Sequence, residues 1–304
     1  MMRNCSIILQ VKHSLLPVWV TVPLFLITSA ILIIVFSALS NLIFQIQAPV
    51  SKGYLIVFQQ FMLHFPLFLG IFILALLFLK YIDRRPISDL GLELRGRGPD
   101  FIFGALFASI LYVLGFGTSL LLGVVKIVNI HFDVGLLAGS FVVLIVSALM
   151  EEIMIRGYIL SRLMLCMNKF LALFLSSAIF GLLHVLNPNI GFLAVFNVFL
   201  AGLMLGAAFL YTRNLWFPII LHVCWNWLQG PVLGYEVSGI KIFPSAFTLH
   251  LPQNNIFNGG TFGFEGSIIC TVLLVMSTGV IICWFENKSK KARLEIKSES
   301  GILS

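Results

Sequence analysis

The sequence predicts an all-α, polytopic membrane protein of about eight transmembrane helices. Three observations predict it. Of its 304 residues 60% are hydrophobic and only 10% charged, whereas soluble domains run near 25% charged. Mean hydropathy is +1.06. Apolar runs long enough to cross a hydrocarbon core of ~30 Å recur along nearly the whole chain.

The first run extends from Pro17 to Ile46. Arg3 and Lys12 precede it as in a signal peptide, and Ala38-Leu39-Ser40 resembles a cleavage site. The run is far longer than a signal h-region, so a retained helix is expected. The second runs from Tyr54 to Tyr81, followed by a basic loop, 83–100, with Arg84, Arg85, Arg95 and Arg97. The third is expected over Phe101 to Val128 and the fourth over Leu136 to Met167. The fifth, Phe170 to Leu186, stops at Asn187-Pro188, a turn-favouring dipeptide. The sixth, Phe192 to Tyr211, carries Gly202-x-x-x-Gly206, a close-packing signal expected to act within the chain. The seventh spans Trp216 to Leu233. After a loop of mixed polarity comes the eighth, Ser267 to Phe285, then a basic tail. The expected organisation is therefore 1–136 (helices 1–3 with the loop 83–100), a core 137–233 (helices 4–7), 234–286 (loop and last helix) and a cytoplasmic tail 287–304.

Charge sets the expected orientation. With both termini in the cytoplasm, eight crossings gather fifteen of the nineteen basic residues on the cytoplasmic side. These are Arg3, Lys12, Lys80, the four loop arginines, Arg162, Lys169, Arg213 and five in the tail. Lys52, Lys126 and Lys241 remain on the other face, as the positive-inside rule requires. The net charge of +7 is thus a topology signal. No basic patch is interleaved with aromatics, so nucleic acid is not an expected partner. Membrane lipid is, with the tail against anionic headgroups. The five cysteines are odd in number and lack Cys-x-x-Cys spacing, which argues against a disulfide framework or a cysteine zinc site.

The residues that do not belong in lipid are Glu151, Glu152 and Arg156, in the middle of the fourth helix. A charge at the centre of a membrane helix costs about 2.5–3.5 kcal/mol on insertion scales, and such residues mark function. Glu152 and Arg156 stand at i and i+4 and can pair. Glu151 points about 100° away and lacks that partner, which suits a group that takes and returns a proton. His184 lies near the end of the fifth helix. His222 and Asn226, at i and i+4, share a face of the seventh. His64 on the second helix reads as a helix-to-helix hydrogen-bonding residue. An acid, two imidazoles and an amide from three helices point to a catalytic constellation or a metal site. At 1.5 Å per residue their depths are compatible with one cavity.

Glu151-Glu152-x-x-x-Arg156, Phe180-x-x-x-His184 and His222-x-x-x-Asn226, in that order, resemble the CAAX prenyl protease and bacteriocin-processing (CPBP, or Abi) family of intramembrane proteases. Supporting matches are Asp89-Leu90-Gly91-Leu92, the stretch Thr212 to Ile219, and the glycines around Glu265. The resemblance covers about Ala138 to Leu233. It implies an intramembrane endopeptidase in which Glu151 activates a water, assisted by His184, while His222 and Asn226 stabilise the oxyanion. Glu152 and Arg156 would brace the helix, with Glu152 also within reach of substrate. A cytoplasm-facing cavity would admit water, and the substrate would be a peptide or membrane-protein segment, prenylated or not. No cofactor is required in the favoured reading; the alternative is zinc held by Glu151, His184 and His222. A non-catalytic bacteriocin-immunity or regulatory membrane protein on the same fold is the alternative function. A proton-coupled transporter is a third, weakened by the lack of an inverted repeat. The expected location is the cell membrane.

Overall fold

The computed structural model describes residues 14–44 and 53–299. Arg3, Cys5, Lys12, Lys52, the end of the first run at Ile46 and the last five residues lie outside the described residues.

Helices stand at each of the eight predicted positions. They are α1 (Val18–Phe44), α2 (Gly53–Leu77, widening to a π-helix at Phe78–Ile82), α3 (Gly98–Leu121), α4 (Val134–Glu152), α5 (Lys169–Leu183), α6 (Phe192–Thr212), α7 (Trp216–Trp227, π-helical over Leu228–Val232) and α8 (Ile268–Glu299). Among the described residues six spans are long and apolar enough to cross a membrane. The chain is a multi-pass, all-α membrane protein. The other two, α5 of 15 residues and α7 of 12, are shorter. A 15-residue helix rises only about 22 Å.

Two predicted boundaries are overturned, the first being the end of α8, which runs on to Glu299 instead of stopping at Phe285. The apolar run to Val128 predicts continued helix, but α3 stops at Leu121 and Gly123 turns the chain at φ +68°. Lys126–Ile130 is then a strand, β1, pairing antiparallel with β2 (Phe247–His250). The β-branched residues Val124, Val125, Ile127, Val128 and Ile130 favour the extended chain. Composition alone could not separate a short apolar strand from the end of an apolar helix.

Contacts between helix ends sort them onto two faces. On one, the Asp83 carboxylate after α2 pairs with Arg162 at 2.8 Å and accepts from Ser14, ahead of α1, at 3.1 Å. There too, Lys169 at the start of α5 meets Glu286 of α8, which also accepts from Tyr211 of α6. The basic loop docks on this face: Leu215 N–H donates to Gly91 O, Asn214 to Glu93 O and Trp216 to Leu92 O. Two stretches noted separately in the sequence, 89–92 and 212–219, are therefore one joint. Gly91 needs its missing side chain there, since its φ is +80° and a Cβ would lie 2.8 Å from Arg213 O. On the opposite face, Tyr54 at the start of α2 donates to Asp133 before α4 at 2.7 Å, and the β1–β2 ribbon covers the ends.

Packing places the site. α2 lies along α4, α5 along α6, and α3 along α7. Gly202 of α6 faces Ser177, and Gly206 faces Leu173, so the small-residue pair joins α6 to α5 within the chain.

Candidate active site

Glu151 and Glu152 close the α-helical part of α4. The next eight residues, Ile153–Leu160, form a π-helix, all buried. π-turns inside α-helices recur at functional sites because they re-aim the side chains around them. Here Gly157 lets the widened turn press against Leu90 and Leu215, as a Cβ would come within 3.3 Å of both.

The two glutamates occupy different environments. The Glu152 side chain is fully buried. Its Oε1 accepts from Arg156 Nη1 at 2.7 Å and from His222 Nδ1 at 2.9 Å. Arg156 also donates to Gly202 O at 3.3 Å and lies over the Phe180 ring, 4.4 Å from its centre. The Glu152 Oε1 is thus taken up by α7 and by its own helix, while its buried Oε2 has no hydrogen-bond partner among the described residues. Glu151 is 22% exposed. Its Oε1 lies 3.5 Å from Ser147 Oγ, and its Oε2 lies 3.9 Å from His222 Nε2. It is thus not isolated; the ring held by Glu152 through Nδ1 turns its other nitrogen toward Glu151.

His184 caps α5, with Nδ1–H donating to Phe180 O at 2.8 Å. Phe180 stands between the imidazoles, its ring centre 4.7 Å from that of His184 and 6.3 Å from that of His222. The Asn226 side chain, one turn beyond His222, makes no hydrogen bond to protein among the described residues, so its amide is free to donate. Glu151, His184, His222 and Asn226 all line one cavity of about 340 Å3. Glu152 and Arg156 lie behind its wall.

The cavity draws on residues the sequence did not single out. Glu265, placed in a loop from sequence, is buried. It accepts from Trp225 Nε1 at 3.0 Å and from Ser238 N–H and Oγ at 2.8 Å each. It thereby fixes segment 237–243, much of which lines the cavity. The glycine-rich setting of Glu265 was the available signal. The lining reaches the surface at Ile240 and Lys241, on the β-ribbon face, and includes no residue of the arginine-rich loop. A cytoplasm-facing cavity is therefore not what the structure forms if the basic face is cytoplasmic.

A catalytic zinc takes three protein ligands and a water. Among the described residues no three His, Cys, Asp or Glu side chains gather at ligating spacing. Glu151 and His222 approach each other, but His184 does not complete the set, so the donors as arranged do not fit that metal.

Residues 133–228 match the family model described as type II CAAX prenyl endopeptidase Rce1-like. This Rce1-like segment covers 96 of the chain's 304 residues. It begins at the residue that caps α4 and ends just past α7, so it holds every residue of the constellation. α1–α3, the ribbon and α8 lie outside it. No curated protein and no solved structure matches the chain. The match is a likeness of this segment alone to a family described as endopeptidases.

Proposed function

We propose that the chain is an intramembrane endopeptidase of the CAAX prenyl protease type that hydrolyses membrane-associated substrates with a glutamate-activated water. The observation that carries this reading is the juxtaposition of Glu151 and the His222 ring, 3.9 Å apart across one cavity, with that ring tethered from behind by Glu152.

In the proposed reaction a water on Glu151 attacks the peptide carbonyl carbon and its proton passes to the Glu151 carboxylate. A positioned base contributes about 10²–10⁴-fold. The oxygen of the tetrahedral intermediate takes hydrogen bonds from the Asn226 amide and from His222. The ring does this as an imidazolium, with Nδ1 on Glu152 and Nε2 toward the cavity. Preorganised donors of this kind are worth roughly 3–4 kcal/mol each. As the C–N bond breaks, the proton on Glu151 passes to the leaving amine, relayed by His184. No metal is assigned a step, because the donor set does not form a three-ligand site. Persistence of cleavage in a strong chelator supports that assignment; loss restored by added zinc overturns it.

We also propose eight crossings in the cell membrane, with both termini and the arginine-rich loop in the cytoplasm. The short α5 and α7 then cross within the protein, shielded by their neighbours. In this orientation the cavity reaches the outer face, so its substrates are peptides or membrane-protein segments presented from there or from the bilayer. The peptide content of cells carrying the native chain, compared with cells carrying Glu151→Ala, tests the function. Peptides present only with the native chain support a protease. Identical peptide content with a retained phenotype supports the non-catalytic role.

A further inference from the structure

α2 and α4 run side by side in the same direction. Tyr54 sits against Gly135 and Val57 against Gly139. That register brings His64 about level with Ser147, one helical turn from Glu151. His64, Ser147 and Glu151 all line the cavity. The His64 ring is fixed: Nδ1–H donates to Gln60 O, four residues back on its own helix, at 2.8 Å. A carbonyl only accepts, so the proton is on Nδ1 and the lone pair on Nε2. His184 is held the same way by Phe180 O. Among the described residues Nε2 of His64 has no protein partner. A histidine serving to tie α2 to a neighbour would spend Nε2 on that neighbour, and an unpaired acceptor in dry apolar surroundings is disfavoured. His64 lines the same cavity as Glu151.

Resting on the peptidase reading above, we propose that His64 is a catalytic residue supplied by a helix outside the Rce1-like segment. Its Nε2 accepts one hydrogen of the attacking water while Glu151 accepts the other. Two acceptors fix both O–H bonds and leave a water lone pair aimed at the substrate carbonyl. When the O–C bond forms, the carbonyl electron pair moves to oxygen and the proton facing Glu151 moves to its carboxylate. That proton later reaches the amine, and His64 gains and loses none.

The test uses the full chain in lipid nanodiscs with two quenched fluorogenic peptides. One carries a farnesylated cysteine followed by three apolar residues; the other is its unprenylated twin. His64→Ala lowers kcat about tenfold or more with KM nearly unchanged. His64→Gln, whose Oε1 reaches the place of Nε2, recovers part of the rate, and His64→Asn does not. Glu151→Gln is run alongside. If it cleaves like the native chain, the peptidase reading falls and this proposal with it. If it is inactive while His64→Ala keeps its kcat, the role of His64 alone is overturned. A substrate-independent measurement stands beside these: carbethoxylation of the native protein by diethyl pyrocarbonate, read by mass spectrometry. His64 reacts at a rate comparable to His184 if both Nε2 atoms face water; a His64 that reacts only after denaturation overturns the proposal.

Discussion

Glu152→Ala separates what holds the bundle from what performs chemistry. It removes the acceptor of two hydrogen bonds, from Arg156 at 2.7 Å and His222 at 2.9 Å. The Arg156 side chain is 1% exposed, so its charge is left buried with only Gly202 O and the Phe180 ring. Breaking a buried pair from one side costs about 3–5 kcal/mol. At about 2–4 °C per kcal/mol for a chain of this general size, the unfolding midpoint in nanodiscs falls by roughly 6–20 °C. Replacing both partners by apolar residues, Glu152→Leu with Arg156→Met, removes the orphaned charge and restores most of that loss. Activity does not return with it, because the His222 Nδ1–H still has no acceptor and the ring is free to turn away from Glu151. The stability arm is read by thermal unfolding and the activity arm by peptide cleavage. A double variant as unstable as Glu152→Ala, or one as active as the native chain, refutes the reasoning.

Three other expectations follow from single contacts. Gly91→Ala places a Cβ against Arg213 O at a φ of +80° and lowers stability by about 1–3 kcal/mol, read as a fall in the unfolding midpoint. Asp133, held below the usual carboxylate range by the Leu136 N–H and then the Tyr54 hydroxyl, stabilises the fold in its ionised form. The advantage over Asp133→Asn is therefore complete near neutrality and shrinks only below about pH 4, which unfolding midpoints measured from pH 7 down to 3 will show. Glu265→Ala leaves Ser238 and Trp225 without their shared acceptor, so limited proteolysis cuts within 237–243, where the native chain resists.

Membrane composition made the fold class legible and hid the faces of the helices. Lipid and protein core are equally apolar, so periodicity cannot say which side of α4 meets neighbours. Charge could: Glu151, Glu152 and Arg156 stood out as the charged residues in the middle of the predicted fourth helix, with Arg162 nearer its end. The pairing of Glu152 with Arg156 followed from their spacing, but its bond to His222 joins residues 70 positions apart and depends on how α4 crosses α7. His64 shows the same limit. Its sequence surroundings suggest a helix tie, and only the α2–α4 register brings it to the cavity that Glu151 lines. Glu265 was hidden differently, since a loop acid looks solvated until the loop is seen folded over the cavity. Strand β1 was lost inside an apolar run that a helix would equally use.

The central claim is that water, activated by Glu151, is the nucleophile. Single-turnover cleavage of the fluorogenic peptide in H2¹⁸O tests it most directly. One ¹⁸O atom in the new carboxyl group of the released fragment, with no product from Glu151→Gln, is the outcome the account predicts. Unlabelled product, with the heavy oxygen appearing instead on a side chain of the protein, or undiminished cleavage by Glu151→Gln, would contradict it.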